Sequence, residues 1–523
     1  MRSASVSRTD EVCRSYLDLR WHCDPAAASQ AGLTQYHGRL GQYDEEAIAE
    51  HLAAFRALEA AVEGLDVAEA AEEIDRTALL DDIRATVFRL QHERPHRRNP
   101  AFWLLHLAEA LEAVRQPADP EDAMMALARV QAIPDFLRTA ANVLGASAEP
   151  LIALARDLVP AVHGLIGEVE AGLLGEPQLA AVVQEAASEA RGELESFLLV
   201  LESEIADEGT RPAGSGGDHF DRLLHHLHAV PTGAAEGWRY LLRREQEFDD
   251  RLAALAGELG GEDWREALGG LVEIQGEPGD LAGEAVGELL RLAAFASDRA
   301  LFPGAGPSPE VATLPAHLEV VTAHGVYRSR SWGAAAPARV ELAGWPSTAV
   351  WLSPILAELG VPGLHLHHEQ MAALEPEVRR HLEGRLTQGG WGLYAVHVLF
   401  EAGYWTTVSD RLVTLSHIYF RHLLARVDIG LHTHQLSVEE GVEFLIERLG
   451  IEPLHALAAV RGCLLEPTEA FGAILGCREL IRLCDDVRER EGESFSAARF
   501  HGQVLGYGAL PTPLIRWGMG FED

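Results

Sequence analysis

At 523 residues the chain is long enough for one large helical body of several subdomains. Its 80 acidic and 43 basic residues give a formal charge of −37, a surface that repels nucleic acid and anionic membranes, so neither is expected as a partner. Every one of those basic residues is arginine, which excludes a P-loop lysine, a Schiff-base lysine and a lysine general base.

The N-terminal stretch MRSASVSRTDEV has no apolar core segment, so no signal peptide is read there. No uninterrupted apolar run is long enough to span a bilayer. The cysteines (Cys13, Cys23, Cys463, Cys477 and Cys484) form no CxxC pair and read as reduced thiols. Together these features lead to the expectation of a cytoplasmic protein. Cys477 and Cys484 stand a heptad apart and are expected to share one buried helix face.

From about residue 10 to 300 the pattern is helical almost throughout, with apolar residues three and four apart in 45–65 and 77–93. Breaks are expected at Asp24-Pro25, Asn99-Pro100 and Gln116-Pro117, because the residue before proline is pushed out of the α region. GTRPAGSGG, residues 209–217, reads as a flexible loop. Between 303 and 353 proline and glycine rise, and 317–323 and 338–343 (ARVELA) suggest a short antiparallel sheet. The expected fold is mainly α, with a small antiparallel β insertion. Its regions are 1–210, N-terminal helices; 218–302, a second helical block; 303–353, the β-rich segment; and 354–523, C-terminal helices.

The 24 histidines cluster. His225, His226 and His228 do not share one helix face and suit a surface or helix-end role. In GVPGLHLHHEQ, His365 and Glu369 stand four apart with His368 adjacent, and GLHTHQLS puts His432 and His434 near Asp428. Two histidines and a carboxylate on neighbouring helices could hold zinc or iron, but the spacing is neither HExxH nor HxxEH.

Motifs along nearly the whole chain resemble a large bacterial family of uncharacterised helical proteins related in fold to helical metallocarboxypeptidases. They include DPAAASQAGLTQYHGRLGQYDEEAIA, RRNPAFWL, GWRYLLRREQEFDDRL, GVPGLHLHH, GGWGLYAVHVLFEAGYW, VDIGLHTHQLSVEEGVEFL, EPTEAFGAILG and FHGQVLGYGALP. That family carries the signature His-Glu-Gly-x-Pro-Gly-His-His. Set on this chain, its first histidine falls at Glu358, its glutamate at Leu359, and its last two histidines at Leu364 and His365. A downstream Glu-Gly-Trp-Ala-Leu-Tyr-Ala-Glu becomes residues 389–396, with Gly389 and Val396 in place of the glutamates. A later family tyrosine falls at Phe471 or Gly472.

The resemblance implies that the histidines were metal ligands and the glutamate a base. Leucine, glycine and valine supply neither, so standard metallopeptidase activity is not expected. Glu358, His365, Tyr394 and His432 are the candidate catalytic residues, and Trp391, Arg421 and Asp428 the candidate substrate-binding ones. Glu358, set beside Leu359 and Leu364, is expected to have its pKa raised by desolvation.

Three functions stay open on the sequence. The leading one is a metal-independent enzyme, a cyclase, isomerase, lyase or hydrolase of specialised metabolism, acting on a small organic substrate without a cofactor. The second is a peptidase or amidase whose zinc or iron is held by Glu358, His365, His368 and Glu369. The third is a non-catalytic protein that binds a peptide or metabolite.

Overall fold

A computed structural model describes residues 8–521, apart from 68, 176–177, 206–211, 229, 276–279, 305, 330–336, 346–348, 376 and 383. The chain folds as a mainly α structure, and its helices begin where the sequence supplies caps. Asp44 accepts from Glu46 and Ala47 N–H at the start of Glu45–Glu63. Asn99 caps Pro100–Glu112, and Ser437 with Glu440 forms a capping box on Val438–Leu449. Pro25 and Pro100 each open a helix, where their missing N–H costs nothing, and the third expected break falls between Glu112 and Pro120. Of the 209–217 loop, residues 209–211 lie outside the described residues, and Gly217 already begins the helix Gly217–His228.

Three short strands, β1 (Glu310–Thr313), β2 (Gly325–Arg328) and β3 (Arg339–Leu342), form one sheet in the order β1-β3-β2. The expected antiparallel pairing holds for β2 and β3, with Tyr327 opposite Val340. β1 instead runs parallel to β3, Glu310 opposite Arg339, so the sheet is mixed. Strand direction depends on the crossover, which a local pattern does not encode. The 317–323 run is not a strand either, since Ala316–Glu319 is a short helix and β2 starts only at Gly325.

The texture boundaries do not separate cores. Cys13, Tyr16 and Phe55 from the first region share one apolar cluster with Trp391, Tyr394 and Ile515. A second cluster joins Pro100–Glu112, Pro120–Val143 and Glu149–Leu173. Glu149–Leu173 is long and apolar enough to cross a membrane by length and composition, yet Ile152, Leu158 and Val162 are buried in that core. Cys477 and Cys484 both pack towards the core that holds Trp391, as free thiols.

Arg385–Glu401 and Glu469–Glu491 cross through glycine. A Cβ on Gly390 would lie 2.5 Å from the carbonyl carbon of Gly476, and one on Gly476 would lie 2.0 Å from the Leu386 oxygen. Backbones this close admit no side chain at the crossing. The crossing sets the position of Trp391, whose indole N–H donates to the Pro362 and Gly363 carbonyls and so ties the helix to the GVPG turn.

Candidate functional site

A cavity of about 830 Å³ opens between the N-terminal helices, β2 and the C-terminal helices. Leu352–Leu359 brings Glu358 to its wall, and Val408–His432 brings His417 and Arg421, four apart on one helix face. The Glu358 carboxylate lies 2.8 Å from His417 Nε2 and 3.2 Å from Arg421 Nε, with Glu358 itself only 6% exposed. Gly363 and Gly392 press on Glu358: a Cβ on either would fall 1.9 Å from its carbonyl oxygen or 2.9 Å from its Cγ. The carboxylate is held in place from both sides.

These partners reverse the expected titration of Glu358. Burial works to raise its pKa, but the Arg421 charge and the His417 hydrogen bond outweigh burial and hold it below the usual value. Glu358 is therefore a carboxylate, an acceptor only, and the proton shared with His417 sits on Nε2. Nδ1 of His417 has no partner among the described residues. Beside it, 5.6 Å between ring centroids, lies His324 of the cavity wall, with neither ring nitrogen partnered among the described residues. Burial first, then His455, His417 and Arg421, drive the His324 pKa far down, so this ring is neutral.

The opposite wall is an ion network. Arg328 of β2 lies 2.9 Å from Glu109 and 3.3 Å from both Glu112 and Glu341, and His317 lies 3.3 Å from Glu109. Burial would raise the Glu109 pKa, but His317 and Arg328 hold it at about 2. Among the described residues, only Glu109, Glu112 and His317 bring three potential metal-ligand atoms within 4.8 Å of one another, and the Arg328 guanidinium already lies against both carboxylates.

Of the seven expected catalytic and binding residues, only Glu358 and Arg421 line this cavity. His365 lies at 2.7 Å from the Pro307 carbonyl through Nε2 and at 3.1 Å from the Tyr327 hydroxyl through Nδ1, which fastens its helix to β2. Tyr394 donates to His501 at 2.8 Å inside the core. Trp391 is fully buried. Asp428 accepts the Thr468 and Phe471 N–H groups, each at 3.1 Å, and caps Glu469–Glu491. His432 donates from Nε2 to the Cys463 carbonyl and receives the Ser215 N–H at Nδ1, both at 3.0 Å, and lines a smaller cavity. These five hold helices together in this structure, and none of them lines the larger cavity.

The metal set proposed from spacing does not converge. His368 Nδ1 turns back on the Leu364 carbonyl at 2.9 Å, Glu369 lies against Gly306, and Glu358 is on another helix, committed to Arg421 and His417. The other positions at which the resemblance sets ligands fit a metal no better. Gly389 faces Ala473, where a Cβ would already stand 3.0 Å from the alanine methyl, and Val396 is fully buried. Of the histidine trio, His228 is buried with Nε2 3.0 Å from the Thr468 hydroxyl, while His225 is exposed.

Sequence reasoning missed His417, His324, Arg328, Glu109, Glu112 and His317. The four-residue spacing of His417 and Arg421 was a legible signal; the other groups meet only through tertiary contacts.

The sequence profile of DUF885, described as a bacterial protein of unknown function, matches residues 25–519. No curated protein matches the chain. Two solved structures share the fold. One is a candidate lipoprotein of unknown function from Shewanella oneidensis, with TM-score 0.81 and 14% identity, covering 98% of this chain and 100% of that one. The other is a candidate lipoprotein from Colwellia psychrerythraea, with TM-score 0.79 and 16% identity, covering 98% of each chain. The expected cytoplasmic location does not stand, because both neighbours are described as candidate lipoproteins.

Proposed function

The chain belongs to the bacterial DUF885 family of unknown function, and from that premise we propose that it is a diverged, metal-independent enzyme that transfers protons on a small organic substrate. The observation that carries this reading is the 2.8 Å contact between Glu358 and His417 Nε2, beside an unpartnered Nδ1. In this mechanism Nδ1 of His417 takes a proton from the substrate. Glu358 fixes the ring and its tautomer and stabilises the imidazolium that forms, while Arg421 keeps Glu358 ionised. His324, neutral and unpartnered at the same wall, is available to orient the substrate.

Descent from a metallohydrolase pocket, suggested by the degenerate signature, belongs to the same proposal. The retained groups support loss of the metal, since Glu358 and His365 are both engaged by protein partners and Gly389 and Val396 have no donor atoms. No step is therefore routed through a metal.

The test compares a bacterial metabolite extract, by mass spectrometry, before and after incubation with the wild type, Glu358→Gln and His417→Asn. The reading expects at least one compound consumed by the wild type and spared by both variants. An extract left unchanged by the wild type, or changed equally by all three proteins, overturns it. Stoichiometric zinc or iron in protein purified without a histidine tag overturns its metal-free part.

A further inference from the structure

The Glu358–His417 cavity does not stand alone. A cavity of about 240 Å³ adjoins it and shares Glu93, Pro95, Asn99 and Leu465 with it as common walls. A third, of about 480 Å³ and open to the surface, shares Arg98, Ser215 and His219 with the second. The three adjoin in order, from the cavity at Arg98 to the one that holds the Glu358 wall.

The outer cavity inverts the charge of the protein around it. Its lining includes Arg98, Arg222, His92 and His219, against one carboxylate, Asp218, in a chain of net charge −37. In the inner cavity each arginine is committed: Arg89 to Glu93 and Glu466, Arg328 to Glu109, and Arg421 to Glu358. Arg98 and Arg222, by contrast, make no ion pair with any described residue. Nε2 of His219 is buried and has no hydrogen-bond partner among the described residues. Burial, then Arg98, His92 and Arg222, lower the His219 pKa to about 4, as expected where basic groups gather around one ring. The same cavity sits at the start of Gly217–His228, reached through Gly216 at φ +98°, where helix N–H groups add a positive end.

We propose that this outer cavity seats the anionic group, a carboxylate or a phosphate, of an elongated substrate whose other end reaches His417. Two guanidinium groups, with Nε2 of His219 as a ring N–H donor, recognise oxyanions by charge-assisted hydrogen bonds. The serial arrangement assigns the two ends of the substrate: an acidic terminus at Arg98 and Arg222, and the reacting atoms at the Glu358–His417 pair. The anion seat stands on its own residues, whereas the reacting end rests on the function proposed above.

The test is calorimetric titration of the full chain with inorganic phosphate and, separately, with glutarate. At least one of these is expected to bind. Arg98→Gln and Arg222→Gln are each expected to weaken that binding about tenfold, and the double variant to abolish it. Both arginines are exposed, so the variants keep the fold, which thermal melting verifies. Arg482→Gln, on a remote exposed surface, controls for net charge and is expected to leave binding unchanged. Tighter phosphate names a phosphorylated substrate, and tighter glutarate a carboxylate. Absence of binding by either probe at ~10 mM, or equal affinity in the double variant, overturns the anion seat. Calorimetry reads the outer cavity alone and the metabolite assay reads His417 alone, so the failure of one is distinguishable from the failure of the other.

Discussion

Nε2 of His417 and the carboxylate of Glu358 lie 2.8 Å apart, joined across helices that are 59 residues apart in sequence. The pair is buried, charged on one side and backed by Arg421, which makes it both a stability element and the centre of the proposed chemistry. Its two roles separate experimentally.

Glu358→Gln keeps the shape but removes the charge that Arg421 and His417 face. Unfolding in urea is expected to show a loss of about 2 kcal/mol, within the range for removing one member of a charged hydrogen-bonded pair. Turnover of the true substrate is expected to fall by about 10²–10⁴-fold. Loss of stability with unchanged turnover would make Glu358 a structural residue only.

The same carboxylate carries a pH signature. Its folded pKa lies below the unfolded one, so its stabilisation is complete above the ordinary glutamate value of about 4.3 and is lost as pH falls through the folded pKa. The stability difference between wild type and Glu358→Gln is therefore expected to be constant near neutrality and to shrink below about pH 4.3. A difference that grows on acidification would contradict the assigned direction.

Buried histidines act earlier in the titration. Burial drives His367 and His422 to about 3, and His432 and His501 to about 4. The unfolded chain binds these protons near pH 6.5 while the folded chain does not, so their contribution is present above that pH and is lost as pH falls towards the folded values. The urea midpoint is expected to decline steadily from about pH 6.5 downward, by up to about 1.4 kcal/mol per pH unit for each such histidine. A midpoint flat from pH 6.5 to 4.5 would show that these rings ionise normally.

Placing a carboxylate at 389, where the resemblance sets a glutamate, is expected to fail. Gly389→Glu drives a side chain against Ala473, and Gly390→Ala places a methyl within 2.5 Å of Gly476. Each is expected to lower stability by at least about 1–3 kcal/mol, read as a lower melting temperature. Gly389→Glu protein that melts normally and acquires bound zinc would mean the old site is still open.

Arg328→Gln takes the shared guanidinium away from Glu109, Glu112 and Glu341. Because the network is only partly exposed, the expected loss is about 3 kcal/mol in urea unfolding. A loss below about 0.5 kcal/mol would place this network with ordinary surface pairs.

The sequence alone determined the helical class, the helix caps and the proline breaks, and it puts no ligand atom at Leu359, Leu364, Gly389 or Val396. These are local matters: a cap acts on its own first turn, and a leucine lacks a ligand atom wherever it is placed. Tertiary structure alone decided the rest. It lowered the pKa of Glu358 instead of raising it, because Arg421 and His417 arrive from another helix and outweigh desolvation. It turned Tyr394, His432 and Asp428 into ties between helices, and gathered Arg328, Glu109 and His317 from three separate stretches. Charge and burial at a site are sums over neighbours, and the neighbours exist only once the chain has folded.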